Sequence, residues 1–477
     1  MKKTFMNKLS LRSIHASLPM AVLATTVFVA FGTAEQAHAA AFQLPTTNAA
    51  GFGRGFAGGS LWTDDPSAAY NNPAAMAWLS GPVAQGSWIG IRPSIEYHGS
   101  FTDAAGRPMT GGLPNGGGRV ISDTSAFYAQ PVSDRFAIGL GLTVPYALVT
   151  QYRPDWQGRE FGTMTSLKSI ALSMSAAYKV QDHFSVGFGL VAQRTRAQLN
   201  NGLDVGGTLT TLSGVPLSPL SDAQINVRVH NWSWGYFAGA EWKPTQHDSL
   251  GVVYHSRILN RLHGQYAMYF PNDGKIDPAT GAVINMRDTL EAIPLLNQAY
   301  GTHLPDLNPD GAGASSQLNL PAFINIDYLH KFNDAFSLGA TVQWTNWSPF
   351  KTLELYSQGQ QLLSLDTAYR NTYTLSVGGD YKLNQQWTLR SGLAWDQTPT
   401  RNPTRDPRIP DNTRRIISAG VGYQYSEHLG FDAAYQHQFL SKATLRQTTL
   451  LALGGGSMDG YASDSGDVLA LTATYKF

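Results

Sequence analysis

Along most of the chain, apolar residues recur at every second position. Phe136, Ile138, Leu140, Leu142 and Val144 are separated by Ala137, Gly139, Gly141 and Thr143. Phe184, Val186, Phe188 and Leu190 alternate with Ser185, Gly187 and Gly189, and Phe336, Leu338, Ala340, Val342 and Trp344 with Ser337, Gly339, Thr341 and Gln343. Near the end, Leu429, Phe431, Ala433 and Tyr435 alternate with Gly430, Asp432 and Ala434. A period of two belongs to a β-strand with one apolar face and one small or polar face. The pattern predicts an all-β fold.

Alternation alone fits a soluble sandwich as well as a membrane barrel; the connections separate them. Short turns fall at Val132–Arg135, Val180–His183, Lys243–Ser249, Phe332–Ala335, Leu383–Gln386 and Tyr425–His428. Between them lie long segments rich in Gly, Pro and Asn, roughly 152–163, 201–223, 271–317, 350–369 and 398–414, with 100–118 and 446–465 at either end. Strict alternation of short and long connections is the habit of outer-membrane barrels, whose periplasmic turns are short and external loops long. The scheme gives about fourteen antiparallel strands over residues 82–477. The last places Leu469, Leu471, Ala473, Tyr475 and the terminal Phe477 on one face, as an aromatic girdle and a signal for the barrel-insertion machinery would require.

Composition narrows the class further. Charged residues are 14% of the 477 positions and the formal net charge is +1, which leaves no footprint for nucleic acid. Forty-eight glycines, 21 tyrosines and 11 tryptophans suit strands, turns and interfacial belts. With no cysteine, thiolate metal sites, disulfides and a Cys nucleophile are excluded. Residues 1–39 read as a secretory signal: Lys2, Lys3, Lys8 and Arg12 precede the apolar run Leu18–Phe31, and Ala37-His38-Ala39 supplies a cleavage pattern that makes Ala40 the mature start. The apolar run is too short to span a bilayer core.

Two regions do not read as wall. Residues 40–81, rich in Gly, Ala and Asn, precede the first strand and suit a plug in the lumen or a periplasmic extension. Met286–Tyr300 predicts a short helix interrupted near Pro294, with Met286, Leu290, Ile293 and Leu296 on one apolar face. That face serves either local packing or the landing of a greasy substrate.

The N-terminal segment carries a recognisable pattern: Ala40-Ala41-Phe42-Gln43-Leu44, then Gly51-Phe-Gly-Arg-Gly55, Asp64-Asp65 and Asn72-Pro73-Ala74. Further motifs follow in order: Asn319-Leu-Pro321, Trp344 with Trp347-Ser-Pro-Phe350, Trp387-Thr-Leu-Arg390 with Gly392, and Ile409-Pro-Asp411. Over essentially the whole mature chain this resembles the long-chain fatty-acid transporter family of outer-membrane barrels, which includes channels for aromatic hydrocarbons. The resemblance implies a luminal plug, a kinked third strand that opens the wall sideways, and passive uptake of a hydrophobic small molecule in the Gram-negative outer membrane. No metal or organic cofactor is implied, and a monomer is expected.

Carried over residue by residue, the resemblance makes Phe42 the residue that reports ligand occupancy, or a plain plug-packing aromatic. It makes Asp64, Asp65, Asn72, Pro73 and Ala74 the plug motif; a solvated turn is the alternative for Asp65. The third strand, Arg135 to about Gln151, contains Pro145 with Gly139 and Gly141 nearby, so Gly141 and Pro145 are the candidate kink. Pro145 ending the regular strand near the rim is an equal reading. Arg196 aligns with the family's ligand-facing arginine, yet alternation from Phe184 places Arg194 and Arg196 on the lipid-facing parity. The lysine partner has no clear equivalent; Lys351 and Arg370 lie nearby without a register.

Exposing a sixteen-carbon acid to water costs about 0.8 kcal/mol per methylene, on the order of 10 kcal/mol in all. An apolar pocket with an exit into the bilayer therefore suits such a substrate better than an aqueous pore. Long-chain fatty acids are the first reading, aromatic hydrocarbons by the same route the alternative, and a general diffusion porin a weaker rival. No GxSxG, HExxH or paired-carboxylate signature is present, and an enzyme is not expected.

Overall fold

The computed structural model describes residues 41–109, 111–112, 117–214, 222–277, 281–301, 304, 306–451 and 454–477. The signal segment 1–39 and Ala40 lie outside the described residues.

Fourteen antiparallel strands close into a barrel. In chain order they are β1 Val83–Thr102, β2 Ile121–Pro131, β3 Phe136–Gln151, β4 Met164–Gln181, β5 Phe184–Leu203 and β6 Ala223–Trp242. β7 is Asp248–His255 continued by Ile258–Tyr269, and β8 is Ala312–Leu320 continued by Ala322–Lys331. There follow β9 Phe336–Asn346, β10 Thr372–Lys382, β11 Trp387–Asp396 and β12 Arg414–Gln424. β13 is Leu429–Leu440 continued by Ala443–Leu451, and β14 is Gly454–Lys476. Closure is made by β1 on β14, from Val83 opposite Lys476 to Thr102 opposite Ser457. A closed ladder is what an outer-membrane wall demands, because no water in the bilayer core pairs with a free edge.

The side-chain pattern follows the alternation. Phe136, Ile138 and Leu140 point outward while Ala137 is buried on the inward side; Leu469, Leu471 and Tyr475 point outward and Thr472 inward. Tyr178, Trp242, Phe332, Tyr381, Trp387, Tyr425 and Phe477 ring the outside of the short-turn end, and Trp232, Tyr269, Tyr373 and Phe439 stand toward the other. These are the two aromatic girdles of a membrane barrel.

The long connections differ in part from the expected loops. The stretch 446–465 is not a free loop: β13 and β14 run on as a paired hairpin, Ala443 opposite Ala462 and onward to Leu451 opposite Gly454. Its glycines read as a loop, yet backbone pairing needs no side chain. The stretch 350–369 contains a small hairpin, Thr352–Ser357 on Gln360–Asp366, that docks on β8. The expected interrupted helix is present as Met286–Glu291 and Ile293–Tyr300, parting at Ala292 just before Pro294. Met286, Leu290 and Ile293 are buried beneath it, which makes this face a lid on the interior and not an external landing surface.

Residues 41–80 lie against the inward face of the strands. They form three short helical pieces, Ala49–Gly53, Ala68–Asn71 and Pro73–Trp78, and pack on positions where the wall presents glycine. A Cβ on Gly392 would sit 2.1 Å from the Arg54 carbonyl, and one on Gly378 equally close. A Cβ on Gly239 would meet the Asn72 amide at 2.1 Å, and one on Gly187 the backbone of Pro73 and Ala74. The segment thus rests backbone to backbone on the wall, a distance that only glycine permits.

Gly392→Leu is expected to unseat this segment without preventing barrel closure, at about 1–3 kcal/mol of overpacking strain. Limited trypsin digestion in detergent checks it: cleavage after Arg54 should be slow in the parent protein and rapid in the variant.

Candidate functional site

The site is organised by an irregularity in β3. From Phe136 to Leu142 the strand pairs normally with both neighbours. The ladder with β2 then stops at Ala126 opposite Leu142. On the β4 side the register slips between Thr143 and Tyr146, which face Ala171 and Ser169, so one extra residue is inserted at Val144-Pro145. This is a β-bulge, and the residue placed in it has no N–H to leave unpaired. The strand does not end at Pro145 but continues to Gln151 beside β4 alone. Gly141 lies before the bulge, in the regular ladder opposite Phe127 and Ser173.

The groups that the slip would orphan have found other partners. Ser169 of β4 accepts a hydrogen bond from the Tyr146 N–H at 3.1 Å and donates to the Tyr146 carbonyl at 3.0 Å. On the other edge the start of the described chain enters as a short antiparallel strand. The Leu44 N–H donates to the Pro145 carbonyl and the Ala147 N–H to the Phe42 carbonyl, both at 2.9 Å, with Gln43 facing Tyr146. The Ala41 N–H reaches a carboxylate oxygen of Asp411 at 3.1 Å.

This pairing carries Phe42 into the apolar interior, where it is 1% exposed. Its ring meets Trp347 edge-on at 4.9 Å, Phe350 at 5.8 Å and Tyr146 at 6.2 Å, and Tyr369 packs behind Trp347 and Phe350. Leu148, Leu167, Leu262, Leu290, Ile293 and Leu320 continue the same cluster. A cavity of about 130 Å³ adjoins it, bounded by Leu44, Pro45, Tyr70, Pro145 and Phe323 among others.

Toward the short-turn end the chemistry changes. Arg54 makes a bidentate pair with Asp380, at 2.6 and 2.7 Å, and lies over the Trp62 ring at 3.8 Å. Arg390 joins Asp380 at 3.3 Å and Asp432 at 2.5 Å. Burial alone would favour the neutral form of Arg54, but Asp380 outweighs it and holds the guanidinium above its ordinary value. These four charges line a polar cavity of about 990 Å³ together with Asn48, Gln85 and Lys476.

Asp64, Asp65, Asn72 and Ala74 hold the segment's internal shape and its attachment. Asn72 caps the Pro73–Trp78 turn by accepting from the Ala74 N–H, with Pro73 at the first helical position. Its amide donates to the Ala240 carbonyl at 3.3 Å, and the Ala74 carbonyl accepts from Ser185 at 2.9 Å. Asp65 is buried and accepts from Asn48 and the Ser67 N–H, so it is no solvated turn; burial raises its carboxyl despite those bonds. Burial also pushes Asp64 upward, but bonds from Lys476 at 2.7 Å and from Ser80 hold it below the ordinary carboxyl range. Its link to β14 therefore persists at neutral pH and is lost only as acid protonates the carboxylate.

Arg196 does not join the site. It is exposed, on the outward parity of Phe188 and Leu190, while Gln193 and Thr195 face inward. Lys168, Arg196, His230 and His263 stand side by side across four strands on the outer surface, beyond the row Ile170, Arg194 and Trp232. No bulge interrupts β5 to turn the side chain, so the aligned role fails on parity and Arg196 is a surface charge. Lys351 is exposed as well.

A family model described as "Outer membrane protein transport protein (OMPP1/FadL/TodX)" matches residues 30–477. The chain belongs to this family of outer-membrane proteins. Among its relatives, a long-chain fatty acid transport protein of Escherichia coli O6:H1 is 26% identical over 422 residues, covering 84% of this chain and 88% of the relative. Outer membrane protein P1 of Haemophilus influenzae Rd is 26% identical over 445 residues, covering 87% and 89%. The crystal structure of a Pseudomonas aeruginosa FadL homologue superposes with a TM-score of 0.84 at 42% identity, covering 91% of this chain and 99% of that one. The Ralstonia pickettii toluene transporter TbuX shares the fold at a TM-score of 0.61 and 21% identity, covering 91% and 98%.

The family motifs, scattered in sequence, meet at the N-terminal segment and the bulge. Asp411 holds Ala41, Trp347 and Phe350 enclose Phe42, the Pro321 carbonyl accepts from the Tyr146 hydroxyl at 3.2 Å, and Arg390 and Gly392 flank Arg54. Sequence reasoning missed the Arg54–Asp380–Arg390–Asp432 network. Its signal was present as opposite charges on the inward parity of β10, β11 and β13. It also missed Ser169, one serine among many on β4.

Ser169→Ala leaves the Tyr146 N–H and carbonyl without their patch and is expected to cost about 1–3 kcal/mol. A lowered thermal midpoint in detergent, with the barrel still closed, is the measurement that checks it.

Proposed function

We propose that this chain carries hydrophobic small molecules passively across the outer membrane, with long-chain fatty acids as its principal substrates. The carrying observation is the end of the β2–β3 ladder at Ala126 and Leu142, backed by a short strand, Phe42–Leu44, that is not part of the wall. A hydrophobe entering from the external side would occupy the apolar chamber around Phe42. Displacing Phe42–Leu44 releases two backbone bonds, the Asp411 anchor and the ring contacts of Phe42, and uncovers the break beside β3. The ligand then leaves sideways into the bilayer, where each methylene stays out of water. The polar cavity below, with its paired charges, rejects an alkyl chain and directs it to that exit. Transport follows the gradient set by a downstream sink. In this reading residues 40–81 are the plug and Pro145 is the kink.

Aromatic hydrocarbons remain a second reading because the chamber is ringed by Tyr146, Trp347, Phe350 and Tyr369. The buried guanidinium groups near this level are charge-paired within the protein: Arg405 bonds Thr400 and the Asp411 carbonyl, Arg408 pairs with Asp406, and Arg414 with Asp396 and Asp411, while Nε and Nη2 of Arg408 and of Arg414 have no hydrogen-bond partner among the described residues. Their charges are balanced without a ligand, so neutral hydrophobes fit, and the unpartnered Arg414 donors beside the cavity leave room for an acidic head as well.

Uptake of labelled oleate and of labelled toluene, in cells lacking their own transporter, tests the proposal. Deleting Pro145 removes the inserted residue and restores a regular β3–β4 register without reversing the faces of residues 146–151. It is expected to abolish uptake while the barrel still assembles. Arg196→Ala is expected to leave uptake unchanged. Undiminished uptake in the deletion variant would remove the lateral route, and ionic conductance without uptake of either compound would favour a porin.

A further inference from the structure

A cluster of acidic groups lies where three external segments meet. Glu160 belongs to the β3–β4 connection, Asp204 directly follows the last residue of β5, and Asp222 directly precedes β6. One carboxylate oxygen from each lies within 4.8 Å of the other two, and all three residues are buried. Glu160 is 2% exposed, and neither of its carboxylate oxygens has a hydrogen-bond partner among the described residues. A buried carboxylate left without any partner is rare and costly, and calls for a ligand.

We propose that Glu160, Asp204 and Asp222 hold a divalent cation, calcium by preference. The donor set is entirely oxygen, which selects a hard ion. Calcium binds oxygen at about 2.3–2.6 Å in a flexible shell of about six to eight ligands, which suits carboxylates brought together from three separate segments. Magnesium demands a near-ideal octahedron at about 2.0–2.1 Å and usually keeps several waters, which a buried, all-protein oxygen set serves less well. The charges also balance. Arg159 pairs with Asp222 at 2.7 Å and neighbouring Asp103 with Arg107 at 2.6 Å, so three carboxylates less one guanidinium leave two negative charges. Asp204 is already fixed by the Gly207 and Ala104 N–H groups at 2.6 and 3.0 Å, which orient a ligand without neutralising it. With protein groups alone, burial and then the charges of Asp204 and Asp222 push the Glu160 carboxyl up to about 10.

The cation ties the connection after β3 to both ends of the β5–β6 connection. Bonds to the backbone already run this way, from Asn201 to the Glu160 carbonyl at 3.1 Å, from the Gly202 N–H to the Arg159 carbonyl at 2.8 Å and from the Thr163 N–H to the Asn200 carbonyl at 2.8 Å. The ion thus braces the external end of the strand that carries the bulge. Ligands from segments far apart in the chain have no spacing motif, which is why the sequence pattern implied no metal.

The test uses full-length purified protein in detergent, stripped with EDTA and titrated with calcium chloride, magnesium chloride or terbium chloride. Calcium is expected to raise the thermal midpoint more than magnesium, and terbium to give tryptophan-sensitised luminescence that calcium displaces. Both responses should be lost in Glu160→Gln, which keeps the shape of the side chain, and in Asp222→Asn, which guards against one variant failing to assemble. A parent protein indifferent to calcium and terbium, or responses that survive both substitutions, would overturn the proposal. A midpoint raised by Glu160→Gln with no calcium response in the parent would likewise overturn it, assigning Glu160 to packing as a neutral acid.

Discussion

A strand that parts from its neighbour inside a membrane wall must find other partners for its backbone N–H and C=O groups, because the hydrocarbon core offers none. The organisation of this barrel follows from how β3 meets that demand. Beyond Leu142 it has lost β2, and it inserts a residue against β4. Three devices absorb the deficit. Pro145 brings no donor, Ser169 supplies a hydroxyl that both accepts and donates, and Phe42–Leu44 supplies a strand edge from within. The last of these is covalently part of the N-terminal segment and not of the wall, so it can leave while the barrel stays closed.

The remaining features keep that removable strand in register. Backbone contact with inward glycines fixes the height of the segment, and the Arg54–Asp380 pair fixes its rotation. A buried pair of this kind serves placement better than stability, since removing either partner strands a charge. Above it the chamber is aromatic and aliphatic; below it the cavity is polar. On the proposed route, substrate, strand and exit meet at one level of the barrel, the level of Phe42.

Much of the wall was legible because membrane barrels impose period two and alternate their connections, and both survive without an alignment. Parity was also the better guide at Arg196: alternation from Phe184 put it outside, and the side chain stands outside. Pro145 was visible as an anomaly, but whether it ended the strand or bulged it depends on pairing partners that a sequence does not display. Glycine-rich 446–465 misled for a related reason, since glycine marks loops and backbone-paired strands alike. The buried charges of the N-terminal seat and the Glu160 trio were illegible because their members converge from distant segments. Only the closed topology brings them together.

On the proposed route, Phe42–Leu44 must separate from β3 for transport to occur. Gln43 and Tyr146 face each other as a non-hydrogen-bonded antiparallel pair, flanked by the two bonds between the segments. Such pairs bring Cα atoms to about 4.5 Å, within the range a disulfide spans. The chain has no other cysteine to interfere. Gln43→Cys with Tyr146→Cys, oxidised in the outer membrane, is predicted to block uptake of labelled oleate and to recover it on adding a reductant. Uptake that continues with the disulfide verifiably formed would rule out separation of this strand as a step in transport.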